Sequence, residues 1–320
     1  MNTVSTNLNF SVCLNAPGAP DGLALISARG PDAGSFLQGQ LTNDVLLMKE
    51  SEARLAAWCS AKGRMLSSFI VWKNSAEEFY LLMSSDLLAV TLKRLKMFVL
   101  RAQCVLTDET ANFQVMGVTG EQVNTMNLGA LRADSMPATS PISLEKVIVL
   151  PPGWLAGKAV PRALHIAPNS AASAHDADQL ASWNYLEVSS GIARITAPIS
   201  EAFVPQMLNY ESVGGVNFKK GCYPGQEVVA RSQFRGTLKR RAYLVRSDTT
   251  LQTGQEVFDA QDAEQPCGTV AQAASDLQGG FIAIVSMQTA AAGSMSLHAG
   301  AADGAKLQLL SLPYLLLDDI

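Results

Sequence analysis

The chain has 320 residues, which at roughly 100–200 residues per domain predicts two or three domains. Hydrophobic residues make up 48% of it and charged residues only 16%, a balance that allows sizeable cores and argues against a disordered chain. The formal net charge of −4 gives no general reason to expect nucleic acid binding.

Strands and helices are predicted to alternate irregularly through the first 240 residues. Apolar runs bounded by turn residues predict strands at residues 23–28, 54–59, 65–72, 78–83, 113–118, 147–150 and 163–166. Residues 133–141 are rich in Ser, Pro, Ala and Thr and predict a loop. Because hairpins are mixed with helices, the pattern favours α+β layers.

Three helices are expected in the same region. Pro31 and Asp32 open the first, Ser84 and Ser85 can cap the second, and the third covers residues 171–183. The second helix has one apolar face, which we interpret as core packing and which consists of Leu88, Leu92, Leu95 and Val99.

The pattern changes from Arg241 onward. Short strand-like runs follow at residues 242–245, 269–273, 281–285 and 307–310, separated by turns that contain Gly and Asp. They predict a small all-β barrel or sandwich of roughly 80 residues. We therefore expect an α+β region over residues 1–240 and a β-barrel over residues 241–320.

The cysteine and histidine patterns exclude some kinds of site. The five cysteines are far apart and form no CxxC pair, so neither a disulfide framework nor a zinc ribbon is indicated. None of the three histidines lies near a cysteine, and we expect no bound metal. No run approaches the roughly 20 apolar residues that span a bilayer, and residues 1–12 lack a signal peptide pattern. We expect a cytoplasmic protein without membrane contact.

A glycine-flanked cysteine, Cys222, stands out in the segment KKGCYPGQE that begins at Lys219. Gly221 and Gly225 let the backbone take positive φ angles and approach a ligand closely, although a tight structural loop is the alternative. Free cysteines are commonly buried, and we expect that of Cys13, Cys59, Cys104 and Cys267, with a loosely packed surface position as the alternative. Cys222 differs because its neighbours are glycine and lysine rather than an apolar run.

A strong positive charge surrounds this cysteine. Residues 219–241 contain one acid, Glu227, and seven cations: Lys219, Lys220, Arg231, Arg235, Lys239, Arg240 and Arg241. The net charge of this window is +6, which leaves −10 for the rest of the chain. We interpret the window as a docking surface for an anion, with a solvated basic face as the alternative. Nearby cations also favour the thiolate form of Cys222.

These residues resemble a known family. The segment KGCYPGQE at residues 220–227, continued by VAR at 229–231 and FRG at 234–236, resembles the signature of the YgfZ family. Further matches are FLQGQLTND at residues 36–44, AKGR at 61–64, FVPQ at 203–206 and LPY at 312–314. The resemblance runs from about residue 20 to the C-terminus.

The resemblance implies a fold and a role. The family is similar in fold to the glycine cleavage T-protein, which implies two interleaved ferredoxin-like α+β units around a folate-sized opening, plus a C-terminal β-barrel. The implied cofactor is tetrahydrofolate, and the implied role is support of iron–sulfur enzymes, including enzymes that modify tRNA. Cys222 would be the catalytic residue, within a motif that includes Gly221, Tyr223, Gly225, Gln226 and Glu227.

The resemblance also implies folate-binding positions. Trp183 matches a family tryptophan and would offer a flat wall to the pterin ring, with a position in the core as the alternative. Leu23 stands where the family often has another tryptophan. A family glutamate aligns with Ser189, but Glu187 lies on the same face if this segment is an extended strand. Lys219, Lys220, Arg231 and Arg235 are the candidate anion-binding residues.

Two other functions are open alternatives. A folate-dependent aminomethyl transferase needs the acidic pair of the T-protein, and the matching positions here are Ser67 and Ser68. An RNA-binding module, or a direct tRNA contact, would use the basic segment. That segment has only Tyr223 and Phe234 as aromatic residues, and no RRM, KH or helix-turn-helix signature is present.

Overall fold

The structure is a computed structural model that describes residues 8–17, 21–126, 145–169, 176–234 and 238–317. The predicted loop at 133–141, the predicted helix start at 171–175 and the candidate anion-binding Arg235 lie outside these residues. Within them, every helix is too short or too polar to cross a membrane.

The described chain up to residue 126 forms seven strands and three α-helices. In chain order they are β1 Ser11–Cys13, β2 Leu23–Arg29, α1 Ala33–Gln38, β3 Ala53–Cys59, β4 Met65–Ser75, β5 Glu78–Ser84, α2 Leu88–Val99, β6 Val105–Asp108, β7 Phe113–Thr119 and α3 Glu121–Thr125.

From residue 145 to residue 317 the described chain adds nine strands and two α-helices. They are β8 Lys146–Leu155, β9 Lys158–Pro168, α4 Ala177–Ser189, α5 Gln226–Phe234, β10 Arg240–Ser247, β11 Glu256–Asp259, β12 Gly268–Ser275, β13 Phe281–Gln288, β14 Leu297–Ala299, β15 Ala305–Lys306 and β16 Gln308–Leu310. The predicted mixture of α and β layers is confirmed.

The first sheet has five antiparallel strands in the order β3-β4-β5-β2-β6. Helix α2 packs on one face, where Leu95 is fully buried and the predicted apolar stripe is confirmed as core packing. The predicted serine cap of this helix is wrong. Ser84 is the last residue of β5 and is buried, so its side chain makes no cap hydrogen bond, and a 3-10 turn at Ser85–Leu87 leads into the helix.

The second sheet has four antiparallel strands in the order β1-β7-β9-β8, and α4 packs on it. Asp176 caps α4 by accepting hydrogen bonds from the backbone N–H groups of Asp178 and Gln179. The helix continues to Ser189 and does not end at Trp183. The first residue after Trp183 that favours a helix end is Gly191, which has φ +72°. The predicted extended strand at 187–189 is therefore wrong.

The third sheet has seven strands in the order β15-β14-β11-β12-β13-β10-β16. Its two edge strands are consecutive in sequence, with only Leu307 between them. The sheet must therefore curl until its edges are adjacent, which makes a nearly closed barrel around a core that includes Val257, Val270 and Val285. The predicted C-terminal barrel is confirmed, and its strand β12 packs against α4.

Candidate functional site

A cavity lies between the first two sheets. The centre of a water molecule can reach about 80 Å³ of it, and about 660 Å³ is free of protein atoms when the space open to solvent is counted. Its walls are mainly apolar, with three charged side chains, and the lining residues come from both sheets, from α4 and from the segment that follows it: Leu23, Leu55, Ser68, Phe69, Ile70, Leu82, Leu150, Pro151, Arg162, Leu164, Glu187, Ile192, Ala193, Arg194 and Tyr210. Mainly apolar walls with a few charged groups are typical of small-molecule sites.

Two of the candidate folate-binding residues, Leu23 and Glu187, line this cavity. Leu23 is the first residue of β2, and Glu187 lies in the last turn of α4. The carboxylate of Glu187 lies 3.5 Å from the guanidinium of Arg194 and accepts a hydrogen bond from Gln272 of the barrel at 3.3 Å. The barrel and α4 together therefore hold this carboxylate in place.

Trp183 does not line the cavity, contrary to its predicted role as a wall for the pterin ring. Its side chain is buried in the core of the second sheet, against Gly117, where an added Cβ would lie 2.6 Å from the indole ring. The guanidinium carbon of Arg162 lies 5.7 Å from the ring centroid. Arg162 lines the cavity and contacts the indole face, so Trp183 is a core residue one layer behind the wall.

Sequence reasoning missed Arg162 and Arg194. Arg162 is fully buried, and its Nε donates to the carbonyl of Pro151 at 2.7 Å. Burial, aided by the charge of Arg194 and opposed by that of Glu187, lowers the pKa of Arg162 to about 10. The sequence signal for Arg162 was an arginine within the mainly apolar run of β9. The sequence does not tell whether its side chain faces the cavity or the other side of the sheet, because that depends on the register of the strand.

The two serines that match the acidic pair of the T-protein point to opposite faces of β4. The Ser68 hydroxyl lines the cavity and accepts a hydrogen bond from the backbone N–H of Ile195 at 2.9 Å. The Ser67 hydroxyl lies 2.7 Å from that of Thr91, beneath α2. Among the described residues that line the cavity, Glu187 is the one carboxylate.

The loop that carries Cys222 is built from segments far apart in sequence. The ammonium of Lys220 donates to the carbonyls of Gln38 and Leu41, at 2.5 and 2.6 Å. An added Cβ on Gly225 would lie 2.6 Å from Gly63, so these two backbones touch. The side chain of Gln206 donates to the carbonyl of Val229 in α5 at 2.7 Å. Four of the segments that carry the family resemblance therefore meet at or beside this loop: residues 36–44, 61–64, 203–206 and 220–231.

The structure buries Lys220, which was expected to be an anion-binding residue. It is only 7% exposed, and its Nζ lies 4.8 Å from the ring centroid of Tyr223. Burial lowers the pKa of Lys220 to about 8, while the charges of Asp44 and Cys222 oppose that shift. Two carbonyls near the end of α1 attract the ammonium, so Lys220 fixes the loop and brings a positive charge close to the thiol.

Cys222 is exposed, whereas the other four cysteines are buried. Gly221 beside it has nothing within 4 Å of an added Cβ, so the loop is open on this side. Lys219, Glu227 and Arg231 are exposed, and Gln226 is half-buried with its amide 3.5 Å from the Lys220 carbonyl. The described residues contain no group of three or more His, Cys, Asp or Glu side chains that could hold a metal ion.

We expect one of the five thiols to react with Ellman's reagent in the native protein and all five after unfolding. The buried thiols are protected by packing, and burial also raises the pKa of Cys59 to about 12 and of Cys104 to about 11. Absorbance of the released thionitrobenzoate counts the thiols. Cys222→Ser should reduce the native count to zero and Cys267→Ser should leave it at one. Two or more fast-reacting thiols in the native wild type would contradict this assignment.

Comparison with known proteins gives two sequence relationships and one structural relationship. The sequence profile of the GCVT N-terminal domain matches residues 21–135. The tRNA-modifying protein YgfZ of Edwardsiella ictaluri is 34% identical over 232 residues, which cover 69% of this chain and 68% of the relative. That of Photobacterium profundum is 31% identical over 237 residues, with 72% and 69% covered.

The structural relationship is more distant in sequence. The crystal structure of the glycine cleavage system aminomethyltransferase T from Bartonella henselae superposes with a TM-score of 0.62 at 14% sequence identity. The match covers 92% of this chain and 84% of that one. At this identity the likeness shows a shared fold.

Proposed function

This chain belongs to the YgfZ family, whose named members are tRNA-modifying proteins, and on that premise we propose that it is a folate-binding protein that supports iron–sulfur enzymes of tRNA modification through Cys222. The proposal places the protein in the cytoplasm. It also treats the first two sheets with their helices as two ferredoxin-like units around the ligand cavity.

The observation that carries the proposal is the convergence of distant motif segments on the Cys222 loop. Residues 36–44, 61–64 and 203–206 contribute carbonyls, a turn and an amide to positions on or beside the segment 220–227. The result is a braced loop that leaves its thiol in solvent. Such a thiol suits attack on a sulfur species or transient ligation of iron.

One thiol is not enough for a stable cluster. Four-iron clusters take four ligands, whereas four of the five cysteines here are buried, and the described residues contain no group of three or more His, Cys, Asp or Glu side chains that could hold a metal ion. We therefore propose that Cys222 acts transiently, with a partner or a small-molecule thiol supplying any further ligands.

Tetrahydrofolate is the ligand that we propose for the cavity. Apolar side chains from both sheets provide walls for a flat ring system, and the Glu187 carboxylate can accept hydrogen bonds from the amino groups of a pterin. Exposed Lys219 and Arg231 give the Cys222 side of the molecule a positive charge that would attract a polyglutamate tail. Arg235 would add to that charge.

Aminomethyl transfer is not the activity that we propose. A carboxylate beside a reduced folate can stabilise a cation or accept a proton, and serine has no charge for either role. Ser68 is the one member of the matched pair that lines the cavity, and the single lining carboxylate is paired with Arg194.

Titration of the purified protein with tetrahydrofolate and, in parallel, with tRNA tests the proposed ligand. We expect saturable folate binding that becomes tighter as the polyglutamate tail lengthens at low salt. High salt should remove this gain, because it screens the attraction between the tail and the exposed cations. Glu187→Gln should weaken binding about tenfold through loss of a charged acceptor, whereas Glu121→Gln, at an exposed position outside the site, should not. Binding of tRNA without binding of folate would favour the RNA-binding alternative and contradict the folate proposal.

A further inference from the structure

Two arginines in the cavity have more hydrogen-bond donors than partners. A guanidinium carries five N–H donors. Arg162 makes one hydrogen bond within the described part of the chain, from Nε to the Pro151 carbonyl. Its Nη1 is buried and has no partner among the described residues, and the same holds for the Nε of Arg194, whose Nη2 donates to the carbonyl of Asp21.

Neighbouring groups satisfy only part of this demand. The indole of Trp183 covers one face of the Arg162 guanidinium, and the Glu187 carboxylate is shared with Arg194 and Gln272. A buried cation with unpaired donors is unfavourable, and replacing it by an apolar side chain often costs nothing. A position that lines a cavity and keeps such a cation is suited to pairing with a ligand.

We propose that Arg162 is a ligand-binding residue that donates hydrogen bonds to an acceptor oxygen of the molecule in the cavity. This inference rests on the proposed folate function and adds to that function the feature of the ligand that the cavity recognises. The ligand class is a flat heteroaromatic molecule with a carbonyl or carboxylate oxygen, which reaches Arg162 between apolar walls.

Two oxygens of a reduced folate have this chemistry. One is the carbonyl oxygen of the pterin ring, and the other belongs to the carboxylates of the glutamate tail. Both accept hydrogen bonds from a guanidinium, and the carboxylate also carries charge. They lie at opposite ends of the molecule, so fragments and analogues can separate them.

The test measures dissociation constants by calorimetry for Arg162→Met and for the matched surface variant Arg101→Met, whose side chain is exposed. We expect Arg162→Met to bind tetrahydrofolate about 10- to 100-fold more weakly than wild type, which is the loss of a charge-assisted hydrogen bond. Arg101→Met should bind as wild type does. Because the substitution removes an uncompensated buried cation, the melting temperature of the ligand-free variant should not fall.

Wild-type protein alone also tests the inference, in case the variant does not fold. A 4-amino analogue replaces the pterin carbonyl by a donor, and a tail diester removes the carboxylates. At high salt, which screens the exposed Lys219 and Arg231, at least one of them should bind about tenfold more weakly than tetrahydrofolate, and the one that does identifies the oxygen. Equal binding of all three ligands by wild type, or equal binding of tetrahydrofolate by a folded Arg162→Met variant, overturns the inference. Absence of folate binding by wild type instead overturns the proposed function.

Discussion

Gly225→Ala should destabilise the protein by about 2–4 kcal/mol, because the substitution combines a strained backbone with a steric clash. Gly225 has φ +77°, a conformation that residues with a Cβ rarely adopt. The new Cβ would lie 2.4 Å from the carbonyl oxygen of Ser60 and 2.6 Å from the backbone of Gly63. Both neighbours are backbone atoms, so neither can move aside as a flexible side chain would. Denaturant unfolding measures the change in free energy.

Gly221→Ala is the matched control, four residues away in the same motif. Its φ lies outside the positive region, and an added Cβ meets no atom within 4 Å. We expect a change within about 0.5 kcal/mol, as for an unconstrained surface position. Equal destabilisation by the two substitutions would show that the loop does not pack on the 60–64 turn in this way.

Local patterns in the sequence were enough to predict most of the strands. Residues 23–28 are apolar except for Ser27 and are buried in β2, and the hairpin around Lys62-Gly63 forms between β3 and β4 as predicted. The glycine and lysine neighbours of Cys222 correctly separated it from the four buried cysteines. These features depend on residues close together in the chain, which is why they are visible without the structure.

Long-range contacts explain what the sequence could not predict. The local charge pattern predicts an exposed Lys220. Its ammonium is instead buried, where it donates hydrogen bonds to two carbonyls about 180 residues earlier in the chain. Trp183 is a flat aromatic beside a presumed ligand site, but Gly117 on another strand receives its ring and Arg162 contacts its face. Arg162 was missed because only the register of β9 tells which side of the sheet it occupies.

On the proposed function, Cys222→Ser should leave the protein unable to support iron–sulfur tRNA-modifying enzymes in a cell that lacks the wild-type protein. The substitution exchanges sulfur for oxygen on an exposed loop, and no described hydrogen bond depends on that thiol, so the fold and the thermal stability should not change. A hydroxyl is hardly ionised at neutral pH and can neither attack a sulfur species nor ligate iron as a thiolate does.

The level of a nucleoside modification made by an iron–sulfur enzyme, measured by mass spectrometry of tRNA from such cells, tests the central claim most directly. Cys13, Cys59, Cys104 and Cys267, each replaced by Ala one at a time, are the controls and should restore the modification at normal expression. Our account predicts that Cys222→Ser, at the same expression level, leaves it at the level of cells without the protein. Full restoration by Cys222→Ser would contradict the account.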